Sequence, residues 1–178
     1  MPLFTPLEDA CLTEPQQKLK LTVAKPGAPW PGPFNALSRV PDIGLSVHAA
    51  LQHFATASRL TQAAREVAIL TVAQAMPCEY GWHAHVPLAL SLGISSEALT
   101  LLGSGGNCLF EDSEIDEAES FTRSLMANRL RPSPRKPADE VWLVELMALV
   151  GIYRMLFQLV NIDCPSPMFS AIPLQTTY

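Results

Sequence analysis

Residues 65–87 read REVAILTVAQAMPCEYGWHAHVP, and this stretch predicts two consecutive helices. The span 62–76 contains no glycine or proline and many alanines, which favours a helix. Pro77 ends that helix, because proline lacks the backbone N–H that a helix interior needs. A second helix is expected over about 78–92, with Gly93 as its C-terminal stop. The stretch therefore predicts a helical hairpin.

This hairpin gathers four groups that can move protons or act as nucleophiles: Glu66, Cys78, Tyr80 and His85. At about 100° per residue, Cys78, Trp82 and His85 share one helix face, with Gly81 between them. Seven residues span roughly 10 Å, so Cys78 and His85 would hold the two ends of a small molecule rather than bond each other. A mid-helix glycine costs about 1 kcal/mol relative to alanine, so Gly81 suggests room kept for a ligand.

Glu66 and His85 each have a catalytic and a structural interpretation. If its apolar neighbours bury it, the Glu66 carboxyl group can hold a proton near neutrality. Alternatively, it faces solvent or pairs with Arg65. The imidazole of His85 can donate or accept a proton near physiological pH. Alternatively, it is a satisfied core histidine.

The other three residues of this region are equally open to two interpretations. A cysteine at a helix N-terminus favours the thiolate, but Cys78 could also be an inert small hydrophobe. Tyr80 could donate its phenol to a developing oxyanion, or only pack. Trp82 could line a pocket or belong to the core.

The hairpin resembles the motif of the carboxymuconolactone decarboxylase-like family, which includes alkylhydroperoxidase D. Its elements are Glu66, eleven intervening residues, Cys78-x-Tyr80, and His85 four positions beyond Gly81. The likeness extends over roughly 36–165 and includes the phrase Gly151-x-Tyr153-Arg154-Met155. It implies an all-α bundle of about six helices and a homo-oligomer, with trimers or their multiples expected and a dimer possible. It also implies a site without metal or organic cofactor.

Position 81 departs from the family. The peroxidase branch has a second cysteine there, and many decarboxylase-like members have a glutamate, whereas this chain has Gly81. Without a second thiol nearby, a peroxidatic Cys78 has no local resolving partner. A decarboxylase, in turn, is short of one carboxylate.

The remainder of the sequence predicts three segments. Residues 1–41 contain eight prolines and predict an extended arm anchored by Trp30 and Phe34. Residues 42–163 form the predicted helical domain, and 164–178 an irregular tail. With 48% hydrophobic and 16% charged residues, the chain is low in charge for a monomer, which favours burial between subunits.

Several function classes are disfavoured. The net charge of −5 gives no general attraction to nucleic acid or anionic membranes. Residues 1–25 lack a secretory pattern, so a cytoplasmic protein with free thiols is expected. The apolar run 139–160 is interrupted by charges and predicts a helix shared between the core and a subunit interface rather than a membrane span. The six acidic residues within 111–119 suit a solvated first helical turn better than a metal site.

We therefore expect an acid–base enzyme that acts on a small unsaturated organic acid or lactone. The resemblance implies a lyase that decarboxylates, with Glu66, His85, Cys78 and Tyr80 as catalytic residues and with Gly81 and Trp82 contacting the substrate. Drift to an isomerase, cyclase or dehydratase of natural-product or aromatic-acid metabolism remains open. The alternatives are a thiol peroxidase using Cys78 and a non-catalytic binding or assembly protein.

Overall fold

The computed structural model describes residues 3–129, 140–163 and 172–175. Within those ranges the chain forms eight α-helices and a short 3-10 turn, Asp9–Cys11, and it has no strand. The helices are α1 Glu14–Val23, α2 Phe34–Leu37, α3 Pro41–Thr56, α4 Gln62–Ala75, α5 Glu79–Ser91, α6 Ser96–Gly103, α7 Ser113–Met126 and α8 Glu140–Asp163. The all-α prediction is confirmed, and the six predicted helices correspond to α3–α8.

The described residues group into two compact units. The first contains the chain through Ala57 and the end of α8 from Gln158, and the second contains Ser58–Phe157 with residues 172–175. The first unit therefore includes α3, which the sequence prediction placed in the domain beginning at residue 42. Most of the predicted tail, 164–178, lies outside the described residues.

The first unit differs from the extended arm expected for residues 1–41, because α1 is a regular helix. Thr13 and Gln16 form a capping box at its start, and Pro15 lies in the first turn, where its missing N–H costs nothing. Leu19 of α1 is fully buried and packs closely on Gly44 of α3. The prolines after α1 do not disturb it, because they follow its last residue.

A buried carboxylate ties the N-terminal residues into this unit. Asp163 accepts hydrogen bonds from the backbone N–H of Phe4 at 2.9 Å and from the Asn35 side chain at 2.8 Å. The expected anchors Trp30 and Phe34 are both buried. The N-terminal residues therefore contribute to a packed core.

The second unit is built around α4. Its residues 66–73 are all buried, because α4 packs against α5, α6 and α7. Thr61 caps α4 by accepting from the Ala64 N–H. Asp112 caps α7, so the acidic run forms a helix start as predicted, and Glu114 accepts from Thr61 and Trp142.

Helix α5 carries most of the candidate site residues. Cys78 is its N-cap, and Gly93 follows its C-terminus with a φ of +88°, a conformation that glycine adopts without strain. At Gly81 a Cβ atom would lie 2.3 Å from Cε1 of Phe157 on α8. Because Gly81 has no side chain, the Phe157 ring of α8 can lie directly against the backbone of α5.

Helix α8 is the one described helix long and apolar enough, by length and composition alone, to cross a membrane. An 18-residue stretch of this helix has a mean hydropathy of 1.7, and 33% of that stretch is buried inside the protein. Its buried residues within the second unit are Leu146, Leu149, Val150, Leu156 and Phe157. Glu145 on the same helix accepts from Ser58 and from the backbone of Arg59. A core helix with one exposed face has the same length, apolar composition and partial burial as a helix that crosses a membrane.

The contact between Gly81 and Phe157 gives a stability prediction. Gly81→Ala should lower the free energy of unfolding by about 1–2 kcal/mol, since overpacking outweighs the gain in helix propensity. Gly151→Ala is the matched control, because a Cβ at that position on α8 meets nothing within 4 Å. It should stabilise the protein by about 0.5–1 kcal/mol.

Urea unfolding of both variants measures this difference. Combining Gly81→Ala with Phe157→Leu should cost less than the sum of the two single changes, because the smaller side chain relieves the overlap. Equal stability of the two alanine variants would contradict the packing described.

Candidate functional site

Glu66 of α4 and His85 of α5 meet at a short hydrogen bond. The imidazole Nδ1 lies 2.7 Å from Oε2 of Glu66. The Glu66 side chain is only 10% exposed and the His85 side chain 16%. In this arrangement Nδ1–H donates to the carboxylate, which leaves Nε2 as the nitrogen that can exchange a proton with another molecule.

The local sequence explains why the pair forms. Val67, Ala68 and Leu70 hold α4 in the core, so its neighbour Glu66 is carried into a largely buried position. A buried carboxylate needs a hydrogen-bond partner, and His85 supplies one from the facing helix. The predicted hairpin thus brings the acid and the imidazole together, while their catalytic roles stay a prediction.

Tyr153 of α8 extends this pair and was not among the predicted site residues. Its ring meets the His85 ring edge-on, with centroids 5.4 Å apart and an interplanar angle of 82°. Burial raises the pKa of the Tyr153 phenol, the Glu66 carboxylate raises it further, and Arg65 opposes that effect. The one available signal was the phrase around Tyr153, which the family resemblance covered but to which no role was assigned.

Arg65 directly precedes Glu66 in the sequence. Its Nη1 donates to the Leu60 carbonyl at 2.8 Å, and its side chain is half-buried. Its charge acts on the Tyr153 phenol, so a cation belongs to the surroundings of this site. An anionic ligand would gain from that charge.

Cys78 differs from the expectation of a reactive thiolate. It is fully buried, and burial raises the pKa of its thiol to about 11, although the Gly81 N–H donates to Sγ at 3.4 Å. The nearby Glu79 carboxylate raises the pKa as well. Desolvation therefore outweighs the helix N-terminus, and Cys78 is a thiol at neutral pH.

The space over Gly81 is filled, which also differs from the sequence interpretation. The Phe157 ring occupies the volume that a side chain at position 81 would take. The glycine therefore keeps room for another residue of the same chain. Sequence alone could not give this result, because the two positions are 76 residues apart.

Trp82 and Tyr80 lie in different environments. Trp82 is fully buried, and its indole N–H donates to the Ile172 carbonyl at 2.8 Å, so it belongs to the core, while its contact with a substrate stays a prediction. Tyr80 is half-buried, and burial raises the pKa of its phenol, with a smaller contribution from Cys78. Tyr80 therefore stays protonated and able to donate.

Metal ligation finds little support among the described residues. They contain no group of three or more histidine, cysteine, aspartate or glutamate side chains placed to hold an ion. Within the Glu66–His85 pair, Nδ1 and Oε2 are engaged with each other.

One comparison with known proteins gives a match. Searches of the curated proteins and of the solved structures gave no significant match. Residues 46–102, about a third of the chain, match the model described as the carboxymuconolactone decarboxylase family. The segment begins within α3, ends within α6 and contains the whole α4–α5 hairpin, whereas Tyr153 lies outside it. The resemblance predicted from the sequence is thereby confirmed, and the hairpin that pairs Glu66 with His85 lies inside the segment that matches this family model.

Proposed function

We propose that this protein is an acid–base enzyme that acts on a small unsaturated organic acid or lactone without a cofactor. The observation that carries the proposal is the Glu66–His85 hydrogen bond of 2.7 Å between two largely buried side chains. A carboxylate that orients an imidazole is a common arrangement for general acid–base catalysis. The family of the hairpin supports the same class of chemistry.

The proton moves through His85. With Nδ1–H bonded to Glu66, a protonated His85 donates from Nε2 to the far end of the conjugated system. As that C–H or O–H bond forms, the bond to the substrate carboxylate breaks and its electron pair enters the conjugated system. Carbon dioxide leaves, and neutral His85 regains its proton from water. Glu66 stabilises the imidazolium before transfer.

Two further side chains fit an acidic substrate. The guanidinium of Arg65, whose charge acts on the Tyr153 phenol, would attract a carboxylate towards this part of the second unit. Tyr80 keeps its proton because burial raises the pKa of its phenol, so it can donate to the oxygen of an enolate-like intermediate. The same groups would also serve isomerisation, dehydration or ring closure, and decarboxylation is the reaction that the family favours.

A thiol peroxidase is the weaker alternative. Its nucleophile would be Cys78, which is fully buried and has a pKa raised to about 11. A resolving cysteine at position 81 would overlap the Phe157 ring. A non-catalytic binding protein that keeps the hairpin for packing is the other alternative, and it predicts that neither member of the pair affects biological output.

We also propose that the chain forms a homo-oligomer through an exposed face of α8. The apolar side chains Val141, Val144 and Met147 are 45–64% exposed on this helix. They recur at helical spacing along α8. Burial of this face would explain the low charge content.

Glu66→Gln and His85→Ala should each lower turnover about 10²- to 10⁴-fold, because each removes one member of the acid–base pair. The assay is a panel of unsaturated carboxylic acids and lactones, followed by loss of ultraviolet absorbance and release of carbon dioxide. Glu79→Gln is the matched control, since Glu79 is exposed in the first turn of α5. Wild-type turnover in both Glu66→Gln and His85→Ala would refute the mechanism.

Native protein at pH 8 should resist alkylation at Cys78, because with a pKa of about 11 only roughly one thiol in a thousand is ionised and the sulfur is buried. Exposed Cys11 is the internal control and should react readily. Peptide mass spectrometry after iodoacetamide treatment separates the two sites. Rapid labelling of Cys78, with peroxide consumption that Cys78→Ser abolishes, would favour the peroxidase instead.

The oligomer proposal predicts that Val144→Glu combined with Met147→Glu lowers the molar mass measured by light scattering, because charges would be buried at the interface. Leu101→Glu is the matched control, since Leu101 on α6 is 44% exposed and lies outside this face. Unchanged mass in the double variant would exclude the α8 face as the interface.

A further inference from the structure

Two aromatic residues on α8, Tyr153 and Phe157, each contact one residue of α5. Tyr153 contacts His85, and Phe157, one turn later, lies against Gly81. The two aromatic rings also touch each other, with centroids 5.5 Å apart and an interplanar angle of 65°. Residues four apart on one helix thus pair with residues four apart on the other.

This contact limits how the imidazole can turn. The edge-on geometry between His85 and Tyr153, with ring planes 82° apart, places the phenol ring beside the imidazole. Phe157 contacts the Tyr153 ring edge-on and itself lies against Gly81 of α5. Turning the imidazole out of its present plane would lose both the edge-on contact with Tyr153 and the bond to Glu66, whereas a half-turn about the Cβ–Cγ bond keeps the plane and loses only the bond to Glu66.

Tyr153 cannot replace Glu66 as the partner of His85 at ordinary pH. The phenol is held in its protonated form by burial, with the Glu66 carboxylate adding to the effect and Arg65 opposing it. Tyr153 therefore brings no second negative charge to the imidazole. At neutral pH, Tyr153 acts on His85 through the edge-on packing of the two rings.

We infer that Tyr153 is a positioning residue that fixes the orientation of the His85 ring, so that Nδ1 faces Glu66 and Nε2 remains available to a substrate. The inference rests on the proposed function for its catalytic consequence, but its geometric content does not. It extends the site beyond the hairpin to α8, outside the family-matched segment.

The test is nitrogen NMR of the folded protein labelled with ¹⁵N-histidine. His85→Gln identifies the His85 signals among the four histidines. At a pH where His85 is neutral, the wild type should show the Nδ1–H tautomer. Tyr153→Phe, which keeps the ring, should retain that signature. Tyr153→Leu should shift the tautomer ratio roughly two- to tenfold towards Nε2–H, the range expected from the loss of one edge-on contact.

Phe110→Leu is the control, because it removes a half-buried aromatic ring outside these contacts and should leave the His85 signals unchanged. Circular dichroism and thermal melting verify that each variant is folded, and Tyr153→Phe keeps the proposal testable should Tyr153→Leu fail to fold. A wild-type tautomer ratio in folded Tyr153→Leu would overturn the inference. A shift in Tyr153→Phe would also overturn it, since the hydroxyl would then be the active part.

The outcome is independent of the substrate assay. If Glu66→Gln and His85→Ala retain turnover while Tyr153→Leu shifts the tautomer, the proposed function fails and the positioning role stands. If turnover depends on the pair and the tautomer does not respond to Tyr153→Leu, the positioning role fails alone. With a substrate in hand, Tyr153→Leu should lower kcat more than it changes KM.

Discussion

The hydrogen bond between Glu66 and His85 is the constraint on which the site depends. A carboxylate that is 90% shielded from water is costly unless its oxygens accept hydrogen bonds, and here the imidazole of the facing helix provides one. Removing the imidazole would leave the Glu66 carboxylate buried without this hydrogen bond, which would destabilise the fold. The bond therefore fixes α4 against α5 as well as the orientation of the imidazole.

Packing around this bond explains how position 81 differs from the family pattern that the hairpin resembles. The peroxidase branch and many decarboxylase-like members carry a reactive side chain at position 81, and here the Phe157 ring takes that volume. Burial raises the pKa of the nearby Cys78 thiol to about 11, which disfavours a thiolate at this position. Tyr153 then joins His85 from α8, and the site becomes a contact of three helices within the second unit.

Local sequence signals predicted a large part of this structure. The six helices α3–α8 could be placed because Thr61, Asp112 and Gly93 are strong boundary residues whose capping chemistry acts over a few positions. The hairpin predicted that Glu66 and His85 would lie on adjacent helices beside a shared cavity, whereas their direct hydrogen bond was not predicted. Helix α1 was missed because the prolines around it dominated the composition, while the capping box of Thr13 and Gln16 acted locally.

The side-chain environments could not be predicted in the same way. Whether the helix N-terminus or burial controls the pKa of Cys78 depends on how completely the folded chain covers its sulfur. Likewise, Trp82 is a core residue because residue 172 supplies a carbonyl for its indole, which no periodicity reveals. Phe157 over Gly81 is a tertiary contact of the same kind.

The interlocking of Gly81 with Phe157 also restricts how such a protein can change over generations. A cysteine or glutamate at position 81 overlaps the Phe157 ring and is destabilising while residue 157 stays large, and shrinking residue 157 first leaves a void beside α5. Each single step is therefore unfavourable, although the two together are compatible. The order of substitutions at these two positions therefore matters, because a change at position 81 is coupled to the size of residue 157.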